Sequence, residues 1–162
     1  MPTFFRLAAA LASCLLAAAC ATAQVPQYGP NVTQDQAHKA IAGALAEARK
    51  INVPMAIAVV DTAGQLVAFE RMDNTQTGSI AVSQDKAVSA AMFRRPTKVF
   101  QDAVAGGGAG LRILTLRGAN AVEGGLPITV DGKIIGAIGV SGGSAEQDGV
   151  VAKGGTDALA AR

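Results

Sequence analysis

The chain has 162 residues, with 14 basic and 12 acidic side chains, a formal net charge of +2 and a 50% hydrophobic composition. That near-neutral balance, without a basic block or an aromatic platform, excludes the usual footprint of a nucleic-acid partner. With 19 glycines, one tyrosine and no tryptophan, the core must rest on Val, Ile and Leu and on close backbone approach.

Arg6 precedes an apolar run over residues 7–19, and Ala21-Thr22-Ala23 forms a small-x-small cleavage site. Residues 1–23 therefore read as a secretory signal peptide, too short and too Ala-rich for a permanent transmembrane helix. The expected product is periplasmic or secreted, with no transmembrane span after processing. Lipid attachment at Cys20 is the competing reading, but Ala17-Ala18-Ala19 lacks the usual leucine three positions upstream. Cleavage after Ala23 also removes Cys14 and Cys20, which leaves no disulfide, thiol nucleophile or thiolate metal site. The remainder, about 139 residues, suits one domain with a real core.

Residues 24–32 hold Pro26, Gly29 and Pro30 and predict an extended leader; 33–162 form the domain. Thr33 and Gln36 stand at capping-box spacing. Ala37, Ile41, Ala44, Leu45 and Ala48 then recur on one helical stripe, to about Lys50. Residues 55–60 and 65–71 predict a hairpin closed by Asp61-Thr62-Ala63-Gly64. A polar connection over 72–78 leads to a second helix over 79–93. Ile80, Ala87, Val88 and Ala91 lie on one of its faces, and Val82, Ser89 and Phe93 lie beside Lys86 on the other. Apolar groups on two sides predict cover from both, by the sheet and by a partner chain or ligand.

Pro96 suits the first turn of a short third helix, which ends at Gly106-Gly107-Gly108. Residues 111–116 are an ambiguous apolar segment. Residues 126–130 and 134–140 predict two strands joined at Asp131-Gly132, and Ser144 with Gln147 has the spacing to cap a last helix. Two hairpins with flanking helices give an α/β (α+β) domain, an antiparallel sheet with helices on one or both faces.

Within these elements, Ala56-Ile57-Ala58-Val59-Val60-Asp61, with Gly64 and Leu66-Val67-Ala68, resembles the opening hairpin of the GlcG/HbpS family. Phe93-Arg94-Arg95-Pro96-Thr97-Lys98 resembles its central signature. Glu123-Gly124-Gly125-Leu126-Pro127-Ile128 and Ile135-Gly136-Ala137-Ile138-Gly139-Val140-Ser141-Gly142 resemble its C-terminal hairpin. The likeness covers about 33–159, with four motifs in register. It implies a single-domain profilin-like fold, homo-oligomers (dimers or larger rings), and haem binding, sometimes with haem degradation. A related domain closes the PduO-type corrinoid adenosyltransferases. Gly106-Gly107-Gly108-Ala109-Gly110 and residues 111–116 depart from the family pattern, in a loop able to line a pocket.

The resemblance makes Thr97 the first candidate for an axial haem-iron ligand, because haem-binding members use a threonine oxygen there. Its plainer role is to satisfy backbone donors in a first helical turn. His38 is the only histidine and the second candidate, since haem iron commonly takes an imidazole; the alternative is a half-covered boundary histidine. Arg94, Arg95 and Lys98 flank Thr97 as partners for haem propionates or as a solvated cluster closing the helix dipole. Without Cys-x-x-Cys-His, any haem is held non-covalently.

Ser141-Gly142-Gly143-Ser144 offers amide donors to an anion or simply turns a strand into a helix. Met55, Met72 and Met92 read as packing residues, and Glu123, Asp61 and Asp73 are the carboxylates nearest to loops. No Walker loop, dinucleotide fingerprint or nucleophile elbow is present. The expected function is an exported protein that sequesters or buffers haem or another tetrapyrrole. Two alternatives stand beside it: an enzyme acting on a small carboxylate or aromatic catabolic intermediate, and a structural or sensory oligomeric module without a ligand.

Overall fold

Thr33 opens the first helix as its spacing predicts. The Gln36 N–H donates to Thr33 Oγ1 at 3.2 Å, and the Thr33 N–H donates to Gln36 Oε1 at 2.9 Å. In the computed structural model, which describes residues 25–160, this helix, α1, spans Gln34–Lys50. The expected signal peptide and both cysteines lie outside the described residues. The chain continues through β1 (Ala56–Asp61), β2 (Leu66–Arg71), α2 (Ser79–Phe93) and α3 (Lys98–Ala105). A 3-10 helix (Gly108–Thr115), β3 (Gly125–Val130), β4 (Lys133–Ser141) and α4 (Ala145–Ala160) complete it. The ambiguous segment 111–116 thus lies mostly in the 3-10 helix. Gly106-Gly107-Gly108 leads from α3 into that helix, with positive φ at Gly107 (66°) and Gly108 (52°).

The four strands form one antiparallel sheet in the order β2-β1-β4-β3. Strand pleating sends alternate residues to opposite faces. Ile57, Val59, Ile138 and Val140 pack with Ala37, Ile41, Ala44, Val151 and Ala152, so α1 and α4 cover one face. Ala58, Val60 and Ala137 pack with Ala87, Ala90 and Ala91, so α2 covers the other. Small side chains bring α2 almost onto β4: a Cβ added at Gly139 would run into the Ser83 carbonyl and the Ala87 nitrogen. The β3–β4 turn takes positive φ at both Asp131 (49°) and Gly132 (75°), the twist that suits a two-residue hairpin.

The leader is extended, as expected, but it is docked. The Gly29 N–H donates to the Ile134 carbonyl at 2.8 Å, the Ile134 N–H to the Gln27 carbonyl at 2.9 Å and the Val32 N–H to the Ile135 carbonyl at 2.7 Å. It takes the place beside β4 that β1, ending at Asp61 opposite Gly136, leaves open. The boundary drawn at Thr33 therefore cuts through paired backbone.

The second helix has the predicted bounds, but its faces differ from the expectation. Ser79, Ser83, Lys86 and Ser89 are buried with the alanines against the sheet. Val82 and Val88 are only half-buried.

Candidate functional site

The residues of the central signature sit where α2 ends. Arg94 adopts the left-handed conformation (φ 53°, ψ 39°) and turns the chain out of the helix. Its guanidinium lies 5.5 Å from the centroid of the Tyr28 ring, while the Tyr28 hydroxyl donates to the Ala91 carbonyl at 2.8 Å and the Met92 carbonyl at 3.2 Å. The leader therefore supplies both an aromatic platform for Arg94 and a donor for the last carbonyls of α2. Arg95 is exposed, stacks 5.8 Å from the Phe100 centroid and donates from Nε to the Phe93 carbonyl at 3.0 Å. Phe93 and Phe100 meet edge to face at 5.2 Å beneath it.

Lys98 begins α3 and donates to Asp102 at 2.9 Å, with Glu123 3.8 Å away. The hydrogen bond to Asp102 raises its pKa above the ordinary lysine value, supported by the charges of Asp102, Glu123 and Glu146. Arg94, Arg95 and Lys98 together form a basic rim at the α2–α3 turn.

Thr97 stands behind that rim. It has no exposed surface. Its hydroxyl accepts the Gly125 N–H at 2.9 Å while its own N–H donates to the Gly125 carbonyl at 3.0 Å. This reciprocal pair staples the α2–α3 turn to the start of β3. The side chain serves a backbone donor, as a threonine near a helix start often does, but the donor is remote in sequence. His38 is exposed on α1. Because α1 and α2 cover opposite faces of the sheet, His38 and Thr97 are not brought together within one chain.

A buried ion pair lies outside the expected site residues. Lys86 leaves α2 and passes Gly124, which precedes β3, donating to Asp148 Oδ2 at 2.6 Å and the Val140 carbonyl at 3.0 Å. The two side chains are 1% and 4% exposed. Gly124 makes the passage possible, for a Cβ there would stand 3.0 Å from Lys86 Nζ and 2.8 Å from Asp148 Cβ. Asp148 also accepts the Gly143 N–H at 3.0 Å. Burial pushes its carboxyl above the ordinary value, against the opposing pull of Lys86 and Gly143. The available signal was the small polar stripe Ser79, Ser83, Lys86 and Ser89, which repeats at helical spacing.

The Ser141–Ser144 turn is closed to anions by its own chain, because the Gly143 N–H is taken by Asp148 and the Ser144 N–H by Gln147. Met55 is buried, Met72 half-buried and Met92 exposed. Asp61 caps its own hairpin through the Ala63 and Gln65 N–H groups, both at 2.9 Å, and Asp73 is exposed. Among the described residues, no group of three or more His, Cys, Asp or Glu is placed to hold a metal ion. A cleft of about 270 Å³ on the outer side of α2 is lined by Asp85, Val88, Gly118, Ala119 and Asn120.

Comparison with known proteins adds the following. Residues 32–157 match the model of a family described as haem-degrading protein HbpS-like. The GlcG protein of Escherichia coli K12 is 41% identical over 110 residues, covering 68% of this chain and 81% of GlcG. The crystal structure of Klebsiella pneumoniae ORFY, of the DUF336 family, is similar with a TM-score of 0.75 at 32% identity, covering 86% of this chain and 97% of ORFY. The crystal structure of a PduOC–haem complex has a TM-score of 0.71 at 28% identity, covering 79% of this chain and 94% of its own.

Proposed function

The chain belongs to the HbpS-like family of haem-degrading proteins, and from that premise we propose that it is an exported haem-binding protein, holding haem non-covalently to sequester or buffer it. The observation that carries this reading is the likeness to a domain crystallised with haem, over 79% of the chain. The basic rim supports it chemically. Haem presents an apolar ring with two carboxylates, and Arg94, Arg95 and Lys98 offer charge-assisted donors to those carboxylates.

Thr97 and His38 remain the proposed axial ligands, on different terms. Ligation by Thr97 requires the buried Thr97–Gly125 pair to part, because the hydroxyl has no exposed surface. Ligation by His38 requires no movement, but the imidazole comes from the opposite face of the sheet and so from a second copy. That requirement fits the proposed homo-oligomer. Haem supplies the iron and ring chemistry; the protein supplies the ligand and the carboxylate partners.

The test is a hemin titration of the purified protein followed by absorption spectroscopy. A saturable, shifted Soret band at fixed stoichiometry is expected; free-hemin or aggregate spectra alone would remove haem from the account. Loss of the band in His38→Ala but not Thr97→Val assigns the iron to His38, and the reverse assigns it to Thr97. Degradation reads out separately, as bleaching of the bound band when a reductant and dioxygen are present. Export reads out as cleavage after Ala23 in the secreting cell.

A further inference from the structure

Ten large apolar side chains are exposed among the described residues, and six of them, Met92, Val99, Leu111, Leu114, Leu116 and Val122, fall between positions 92 and 122. Charge is concentrated in the same place. Between positions 94 and 117 stand five basic residues, Arg94, Arg95, Lys98, Arg112 and Arg117, against one acidic residue, Asp102. The other described residues hold seven basic and eleven acidic side chains. A chain that is nearly neutral overall is therefore strongly polarised.

The stretch forms one lobe. The 3-10 helix packs on α3, where a Cβ at Gly110 would meet the Ala103 carbonyl, and the chain returns to α2 at Gly118, where an added Cβ would lie 3.6 Å from Met92 Sδ. In a 3-10 helix, side chains three apart eclipse one another. Gly110 and Ile113 share the inner ridge, and Ile113 is buried. Leu111 and Leu114 share an outer ridge and are 49% and 67% exposed, with Arg112 on the ridge beside them. The result is an exposed apolar crest with Arg112 beside it, in a stretch that carries four further cations.

We propose that this lobe docks on an anionic phospholipid surface, with Leu111 and Leu114 entering the headgroup–acyl boundary and the five cations meeting lipid phosphates. Short helical segments with leucines on one side and arginines on the other bind membrane interfaces through this combination. Charge selects this occupant over a lobe-to-lobe pairing of two copies. A second copy meeting the lobe with its own lobe would bring two sets of five cations together, whereas an anionic bilayer complements both the crest and its rim. The inference shares Arg94, Arg95 and Lys98 with the proposed haem rim but does not rest on it, because Leu111, Leu114, Arg112 and Arg117 lie outside that rim.

The test is flotation of the purified protein with vesicles of equal parts phosphatidylglycerol and phosphatidylcholine, and with phosphatidylcholine vesicles. Binding to the anionic vesicles only is expected, lost at high salt. Leu111→Gln with Leu114→Gln, and separately Arg112→Gln with Arg117→Gln, should each weaken it by about tenfold or more. Any contribution from residues before 25 is common to all variants. Equal flotation of wild type and variants, or equal binding to both vesicles, overturns the proposal. So does a fall in molar mass by light scattering in the leucine variants, which would make the crest a contact between copies. The Soret titration on the same variants keeps the haem reading separate: intact haem binding with lost flotation supports docking and leaves haem untouched.

Discussion

Lys86 on α2 and Asp148 on α4 are joined at 2.6 Å with both side chains almost fully removed from water, although their helices lie on opposite faces of the sheet. The contact runs past the edge of β3 where Gly124 and Gly125 carry no side chain. It ties both helical layers to the loop whose Gly125 also holds Thr97.

Lys86→Met should be among the most damaging single changes in the molecule. It strands a buried carboxylate, a loss of about 3–5 kcal/mol. The double variant Lys86→Met with Asp148→Leu should recover much of that, because the desolvation of two charges is removed along with their attraction. Denaturant unfolding of the two single variants and the double closes the cycle; a double variant no better than Lys86→Met alone would sink the argument.

Asp148 should titrate above 3.8, since burial outweighs Lys86 and the Gly143 N–H. In the window between 3.8 and the folded value, the folded state binds more protons than the unfolded one. Its contribution to stability is therefore present below 3.8 and lost as pH rises through the folded value. A carbon-13 titration of the Asp148 carboxyl checks this, and a midpoint at or below 3.8 would show that the ion pair dominates.

Gly139→Ala should destabilise the fold by about 1–3 kcal/mol or more, because the new methyl meets α2 backbone rather than a movable side chain. Gly78→Ala, just ahead of the same helix, meets nothing within 4 Å and should be neutral or slightly stabilising. Thermal melts of the two should part clearly, with only Gly139→Ala lowering the midpoint.

Arg95→Gln and Lys98→Gln should each weaken hemin binding by about fivefold, the scale of one exposed charged contact of about 1 kcal/mol. The loss should shrink as salt is raised. Titrations at two ionic strengths check both statements; unchanged affinity in both variants would place the propionates elsewhere.

Much of the fold was legible because its signals are local. The Thr33 and Ser144 capping boxes, the positive-φ turn at Asp131-Gly132 and the apolar period of α1 all act within a few residues. What stayed hidden depends on distant partners. Lys86 reads as a surface lysine until Asp148 stands beside it. Thr97 reads as an accessible hydroxyl until Gly125, 28 residues later, takes its oxygen. The leader docks through backbone groups, which leave no mark on residue choice, and through the side chains of Tyr28 and Asn31, whose partners at Ala91 and Thr62 are far along the chain. The rim at Arg94, Arg95 and Lys98 was visible as a motif, and the crest at Leu111 and Leu114 only as an apolar run whose helical type decides which leucines face outward.

The pairing of β1 with β4, Ala56 opposite Ser141, also sets the order in which the molecule can form. The β1–β2 hairpin closes as soon as it is made, but the other edge of β1 has no partner until the end of the chain is delivered. The leader, whose partner is Ile134, waits as long. Contacts this far apart in sequence slow folding, so a nascent chain remains open for most of its synthesis. That delay would serve the proposed export, since a channel that threads unfolded chains accepts a polypeptide only before its sheet has closed.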